Sequence, residues 1–333
     1  MNTRQRILSV LNFEMPTDRL PMVEWGHWWD KTHHRWQKEG LPPHLTGDDL
    51  FDYFGLDHFE CLFVRLVDKG CPGPAYHGAP VITNEASYEA IRPFLFTDNM
   101  LDQVVQGAKA LKDAQARGDI AVRVWLDGFF WFPRTLFGIE NHLFAFYDEP
   151  DLMHRINQEL LAFNLRALEA VLNILTPDMV SIAEDMSYNN GPMLSKDMYD
   201  QFIAPYYAKY MPLLKSQNIK VLVDTDGDLA PMVPWLIASG IDGIFPLERQ
   251  AGVDVVQLRK DYPQLIMMGA YDKMVMSKGE AAMRAEFERL LPVMRTGGFM
   301  PATDHQVPPE VSLENYRIYM RLYKEYCTKG TAD

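Results

Sequence analysis

The sequence predicts an α/β fold, a single (β/α)8 TIM barrel with a few helical additions at its N-terminus, in one domain covering residues 1–333. Three observations lead there. Eight short apolar runs recur along the chain, segments of helical period separate them, and polar residues follow most of the runs. Polar groups gathered at the C-terminal ends of many strands are the pattern of a barrel mouth. An open doubly wound sheet would instead concentrate them at one switch point.

The runs are Leu20–Trp25, Glu60–Leu66, Ile120–Leu126, Met179–Ala183, Lys220–Val223, Gly243–Leu247, Leu265–Gly269 and Gly298–Ala302. Several are almost wholly apolar, as parallel strands buried on both faces must be. Residues 195–217 read as a helix that Ser195 can cap, with Met198, Phe202, Tyr206 and Tyr210 on one face and with Pro205 and Pro212 kinking or dividing it. Residues 150–174 and 280–295 are two more helices, and Gly297-Gly298 stops the second. After the runs come Glu24 and His27, Asp68, Asp127, Glu184 and Asp185, Asp224 and Asp226, Glu248, Asp272, and Asp304 with His305.

A length of 333 residues suits one barrel with insertions, and 47% hydrophobic content is ample for its core. The formal charge of −13 argues against nucleic acid or an anionic membrane as partner, and against a polyanionic substrate unless basic side chains are concentrated in the pocket. Cys61, Cys71 and Cys327 form no Cys-x-x-Cys pair and no disulfide framework, which suits a reducing cytoplasm. No signal peptide or membrane span is legible. The glycine fingerprints of dinucleotide and triphosphate binding, the Gly-x-Ser-x-Gly elbow and His-Glu-x-x-His are all missing, which weighs against those chemistries. A soluble cytoplasmic enzyme acting on a small molecule is expected, with homodimerisation left open.

The sharpest feature is Asp224-Thr225-Asp226-Gly227-Asp228, directly after the run that ends at Val223. Residues two apart on a strand share a face, so Asp224 and Asp226 both aim into the mouth and repel one another. A metal ion, a basic partner or one proton relieves that repulsion. His305, at the end of the last run, can meet them across a barrel axis, and Asp224, Asp226 and His305 make a facial set for Zn²⁺ or a harder divalent ion. The alternative is structural: Asp224 pairs with a base, and Asp228 caps the next helix. Glu184 and Asp185 follow the fourth run. One of them, with its neighbour diverging, can serve as ligand, general acid/base or substrate anchor, or can simply be ion-paired. Trp25, Trp28, Trp29 and Trp36, with Trp125, Phe129, Phe130 and Trp131, are mostly packing, but Trp28, Trp29 and Phe130 are candidates for the pocket wall. His27, Asp127 and Tyr271 complete the candidate substrate contacts.

Three segments carry a family resemblance: Thr3-Arg4-Gln5-Arg6-Ile7-Leu8 followed by Pro16-Thr17-Asp18-Arg19-Leu20-Pro21; Gly269-Ala270-Tyr271-Asp272-Lys273; and Gly297 through Tyr316, including Asp304-His305-Gln306-Val307-Pro308-Pro309. Together the chain resembles the uroporphyrinogen-decarboxylase superfamily over nearly its whole length, which independently implies the barrel. True decarboxylases hold a many-carboxylate tetrapyrrole with an arginine-rich N-terminal motif. Here that region reads Val23-Glu24-Trp25-Gly26-His27-Trp28-Trp29-Asp30, an acidic field wrong for such a substrate. The other branch, corrinoid-linked methyltransferases, binds zinc through His-x-Cys and a later cysteine. Asp224-Thr225-Asp226 falls at the first position and His305 near the second. Without thiolates such a site is harder and more Lewis-acidic, suited to polarising an ether or amine.

The resemblance thus implies a metal-assisted methyltransferase that moves a methyl group from an O- or N-methylated small molecule to a corrinoid protein. Asp224, Asp226 and His305 hold the metal, zinc foremost, with Asp226 and His305 also in catalysis and Glu184 or Asp185 handling protons. The rival readings are a metal-independent decarboxylase or lyase of another small acid, using an aspartate and Lys273, and a non-catalytic barrel subunit of a corrinoid system.

Overall fold

The computed structural model describes residues 1–26 and 28–331. Its strands are β1 (Phe59–Phe63), β2 (Ala121–Asp127), β3 (Met179–Ala183), β4 (Ser187–Tyr188), β5 (Gly191–Pro192), β6 (Lys220–Asp224), β7 (Gly243–Phe245), β8 (Ile266–Tyr271) and β9 (Phe299–Thr303). Seven of them form one parallel sheet in the order β1-β2-β3-β6-β7-β8-β9, while β4 and β5 make a separate antiparallel hairpin. Helices connect successive parallel strands, among them Asp98–Arg117, Pro150–Leu172, Ala204–Ser216 and Glu280–Met294. That is the crossover a parallel pair requires. β3, β8 and β9 are buried at every position, which explains why their sequences are almost wholly apolar.

The sheet is strongly curled. Trp125 on β2 and Phe245 on β7 lie three strand spacings apart, roughly 14 Å on a flat sheet. Their ring centroids are nevertheless 6.0 Å apart. Register decides which side chains share the concave face. Asp127 pairs with Ala183, Ala183 with Asp224, and Asp224 with Phe245, so these four form one row at the C-terminal ends of their strands.

The sequence predicts eight strands, and seven are laddered among the described residues. The first apolar run, Leu20–Trp25, is extended but is not a strand, because other groups take its backbone. Met22 N donates to the Asp57 carboxylate, Met22 O accepts from Asp57 N, and Leu20 N donates to Cys327 O. Val23 bonds through both N–H and C=O to the Tyr323 hydroxyl, and Arg123 donates to Trp25 O. The second strand also starts earlier than the sequence suggests, at Phe59. The 195–217 segment divides as expected, into Lys196–Phe202 and Ala204–Ser216, with the Ser195 hydroxyl accepting from Met198 N at 3.2 Å and Pro205 opening the second helix.

The N-terminal motif belongs to the end of the sheet opposite the acids. Asn2 and Gln5 form a capping box on the helix Thr3–Leu11. Arg4 pairs with Asp178 just before β3 (2.8 Å), and Arg6 (3.0 Å) and Arg19 (2.5 Å) converge on Asp57 just before β1. Asp57 and Asp178 are buried, so these pairs tie the helix beneath the strands' N-terminal ends. No described helix is long and apolar enough to cross a membrane.

Candidate active site

Asp224 ends β6, and alternation turns Thr225 away from it: Thr225 is fully buried, and its hydroxyl accepts from Met186 N at 2.9 Å. Asp226 therefore follows Asp224 on the inner side. The β4–β5 hairpin braces this loop, because Asp228 N donates to Tyr188 O at 2.9 Å and Ser187 Oγ donates to Asp226 O. Gly227 is required there. Its φ is +79°, and a Cβ would stand 2.6 Å from the backbone of Tyr188. Asp228 serves locally, its carboxylate accepting from Ala230 N at 3.2 Å.

Among the described residues, one group of three side chains offers a metal-ligand set: Asp226, Glu248 and His305. One ligand atom from each lies within 4.8 Å of the others. They come from the loops after β6, β7 and β9. His305 Nε2 is 3.8 Å from Asp226 Oδ2, and Asp226 Oδ1 is buried with no hydrogen-bond partner. Glu248 Oε2 accepts from Gly227 N at 3.2 Å, which joins the loop after β7 to the one after β6. Asp304 fixes the other loops. Fully buried, it accepts from Arg249 N (2.9 Å), Lys273 N (3.1 Å) and, at 3.4 Å, Lys273 Nζ. Lys273 also reaches Glu248 at 3.4 Å and Gln250 at 2.9 Å.

Charge crowding dominates the electrostatics. Burial raises Asp226 to about 7, and Glu248 and Asp185 push the same way. Asp224 is driven well above the carboxylate range by burial, with Asp226 and Asp185 adding to it and Arg123 opposing. Burial and then Lys273 hold His305 below the usual imidazole value, so it is a neutral donor of a lone pair. Two carboxylates and a neutral imidazole, one carboxylate oxygen lacking a partner, fit a divalent cation of the zinc or harder type.

The structure brings together a set that differs from the sequence-derived one by one residue. Glu248 takes the place expected of Asp224, whose carboxyl ends the strand one row deeper. Asp185 diverges from Glu184 as expected of neighbours. Asp185, at φ +42°, has its carboxylate on Arg134 at 2.6 Å and acts electrostatically on Asp224, Asp226 and His305. Glu184 instead turns into the protein. It accepts from Phe129 N (3.0 Å), Phe130 N (2.7 Å), Trp131 N (3.2 Å) and the Tyr207 hydroxyl, which makes it the anchor of the loop after β2. Donors fill both its oxygens, as around an ionised carboxylate, while burial pulls harder the other way and raises it to about 7.

Of the proposed substrate contacts, three are accounted for by packing. Trp28 is enclosed by Trp36, Phe51, Phe54 and Tyr316. Phe130 is wholly buried against His142 and Phe146. Tyr271 packs with its ring tilted against Phe287 and Tyr319 and donates to Met283 O. Trp29 is 41% exposed with its ring 6.4 Å from that of His305. Asp127 lies in the inner row, raised to about 6 by burial. His27 lies outside the described residues. The sequence reading placed Glu248 only among the polar residues that follow the runs, without a role in the site, and did not single out Arg123. The signal for Glu248 was its place after the sixth run, and for Arg123 a lone charge inside the apolar stretch Ala121-Val122-Arg123-Val124-Trp125-Leu126.

Acids and an imidazole collected at the carboxyl ends of parallel strands are the layout of an α/β enzyme. The chain belongs to the uroporphyrinogen decarboxylase (URO-D) family, whose model matches residues 64–326. Its fold is similar to that of a methyltransferase from Methanosarcina mazei, with a TM-score of 0.65 at 15% identity over 98% of this chain and 99% of that one. A B12-independent methionine synthase from Shewanella sp. W3-18-1 aligns at TM-score 0.43 and 12% identity over 67% of this chain and 65% of that one. A putative vitamin-B12 independent methionine synthase from Listeria monocytogenes aligns at 0.46 and 10% over 94% and 97%. No curated protein matches the sequence.

Proposed function

We propose that the chain is a single-domain methyltransferase that moves a methyl group from an O- or N-methylated small molecule to a corrinoid protein, with a divalent ion, zinc foremost, held by Asp226, Glu248 and His305. The observation that carries the reading is the convergence of those three side chains, one with an orphaned buried oxygen, at the mouth of the curled sheet. The bound ion would act as a Lewis acid on the heteroatom that carries the methyl group. This chain's own residues do the rest. Asp304 holds the loops that present Glu248, Lys273 and His305, Asp185 is positioned by Arg134 to exchange a proton near Asp226, and Trp25, with its ring 5.5 Å from that of His305, provides an apolar wall. In the same reading Leu20–Trp25 closes the sheet as the eighth stave, since it bonds to Asp57 before β1 while Glu24 bonds to Thr303 on β9. The free thiols at Cys61, Cys71 and Cys327 fit a reducing cytoplasm.

Elemental analysis of the purified protein tests the metal. About one equivalent of zinc or another divalent ion is expected, and Asp226→Asn with His305→Ala should reduce it severalfold without unfolding the chain. Absence of any ion after supplementation, together with wild-type activity in both variants, would sink the reading. Lys273 favours a second one, a metal-independent decarboxylase or lyase, because its ammonium already offsets Glu248 and Asp304. Carbon dioxide release with no corrinoid acceptor would decide for it.

A further inference from the structure

The helix Ile139–Asp148, which follows the loop after β2, has two unlike faces. His142, Ala145 and Phe146 are buried, and His142 and Phe146 pack on Phe130. Ile139, Leu143, Phe144 and Tyr147 lie on the opposite side, at the i, i+4, i+5, i+8 spacing of one helical stripe, and all four are exposed. No other helix among the described residues exposes more than one large apolar side chain, so this stripe is set apart. Tyr76 extends it, because the turn that carries Tyr76 is bound to the start of the helix: Ala79 N donates to Tyr76 O at 3.0 Å and Ile139 N to Gly78 O at 3.1 Å. Phe144 is 65% exposed, Tyr147 74% and Tyr76 72%. At roughly 200 Å² per aromatic side chain, and with Ile139 and Leu143 added, about 500 Å² of apolar surface stands in water. That is near the upper limit for the largest patch of a soluble monomer.

We propose that this face is the seam of a two-fold homodimer, the helices of the two copies crossing antiparallel at Leu143. A two-fold axis there sets Tyr147 of each copy against the Ile139 end of the other, so every contact occurs twice. The two ends complement one another. Beside Ile139 lies a groove of about 390 Å³, walled also by Tyr76, Pro80 and Glu140, with room for a tyrosine ring. Tyr147 supplies the ring, and its hydroxyl is a donor for the Glu140 carboxylate at the groove's edge. The area agrees: an apolar centre of about 500 Å², widened by its polar rim, approaches the roughly 800 Å² that each partner gives to a standard interface. No lysine or arginine lies between Gly138 and Glu149, while Glu140, Asp148 and Glu149 flank the stripe. Apolar contact therefore supplies the affinity, and like charges at the ends oppose it. The proposal goes beyond the methyl-transfer reading and does not depend on it.

Sedimentation velocity of the full chain tests it. Half-dimerisation is expected at or below about 10 µM, the weak end for an interface of this size. Raising the salt to about 0.5 M should tighten the dimer by screening the acids. Phe144→Asp with Tyr147→Asp should weaken association at least about a hundredfold, since buried aromatics carry most of an interface's energy. Both side chains are exposed in the single chain, so its circular dichroism should stay that of the wild type. Should the double variant fail to fold, Tyr147→Asp alone takes its place, with about a tenfold loss expected. Ile237→Asp, at an exposed position on the helix Val233–Ala238, should leave the dimer unchanged. A second measurement reads the crossing point. Helix axes roughly 8–10 Å apart bring Cα atoms on the axis to about 5 Å, within disulfide reach, so mild oxidation should join Leu143→Cys to its own copy. Ile237→Cys and the wild type should not be joined. A chain that stays monomeric at about 100 µM, a dimer that the aspartate variants leave intact or that loosens with salt, or cross-linking of Leu143→Cys no faster than of Ile237→Cys would overturn the proposal. Neither metal nor corrinoid enters these measurements, so their failure leaves the metal reading standing, and a metal-free protein that still dimerises through this face leaves the proposal standing.

Discussion

Glu184 separates a structural carboxylate from a catalytic one, and Glu184→Gln makes the separation measurable. At pH 8 the group lies above its value of about 7 and is ionised, so both oxygens accept. Oε1 takes Phe129 N and the Tyr207 hydroxyl, and Oε2 takes Phe130 N and Trp131 N. A glutamine can offer an oxygen to one of those two pairs, but its NH2 must then face the other. Two buried donors are left unmet at about 1–3 kcal/mol each, which gives a loss of about 3 kcal/mol. For a chain of this length that lowers the melting temperature by about 4 °C. Tyr207→Phe removes one donor and leaves no group unsatisfied, so about 1 kcal/mol is expected. Urea titration followed by tryptophan fluorescence at pH 8 reads both variants. Turnover in Glu184→Gln should fall only as far as the loop after β2 is disturbed. Wild-type stability with abolished turnover would refute the reasoning and return Glu184 to proton transfer.

Two further outcomes follow from the same structure. Burial raises Glu24 from 4.5 to about 7, so its folded form binds a proton that the unfolded form has lost between those values; stability contributed below pH 4.5 therefore declines as pH rises through 7, by about 3 kcal/mol in all. Glu24→Gln should remove that part of the slope in urea midpoints measured from pH 4.5 to 8, and an unchanged slope would show that Glu24 is not its source. Gly227→Ala places a Cβ against the Tyr188 backbone at a positive φ, so a loss of about 3 kcal/mol is expected, together with weaker retention of any ion that Asp226 holds; wild-type melting would contradict the close approach.

How far the sequence could be read depended on whether a residue's partner was near in sequence or set by curvature. β3 and β9 were legible because burial on both faces writes itself as nearly unbroken apolar sequence, interrupted only by Ser181 and Thr303. Asp224 and Asp226 were legible as a pair because alternation along a strand is local. Leu20–Trp25 looked like a strand for the same reason, yet whether it is laddered depends on Asp57, Tyr323 and Cys327, two of them some 300 residues away. The choice of Glu248 over Asp224 as the third donor was likewise invisible. It follows from the Gly227–Glu248 contact and from Asp304 clamping three loops, and neither has any sequence period. Glu184 and Asp185 show the limit most plainly: alternation says that one of two adjacent acids faces inward, but a positive φ at Asp185 and three amides waiting for Glu184 decide which.

The charges at the mouth do not balance, and the imbalance has a direction. Arg134 serves Asp185, and Lys273 is shared by Glu248 and Asp304, so among the described residues Asp224 has no basic side chain in salt-bridge contact and Asp226 has only His305, at 3.8 Å. Arg123 acts on Asp224 only through space and keeps two donors idle. If the cluster existed merely to be neutral, the cheaper arrangement would turn that guanidinium onto Asp224 and satisfy both. The fold instead keeps an acid-rich end beside His305 and a base-bearing end beside β2, with Trp25, Trp125 and Phe245 packed between them. The cavity beside Arg123 is itself lined by Glu24, Asp48 and Glu60, so the excess of negative charge runs on to both ends, and the orphaned oxygen of Asp226 marks the end at which a cation would relieve it.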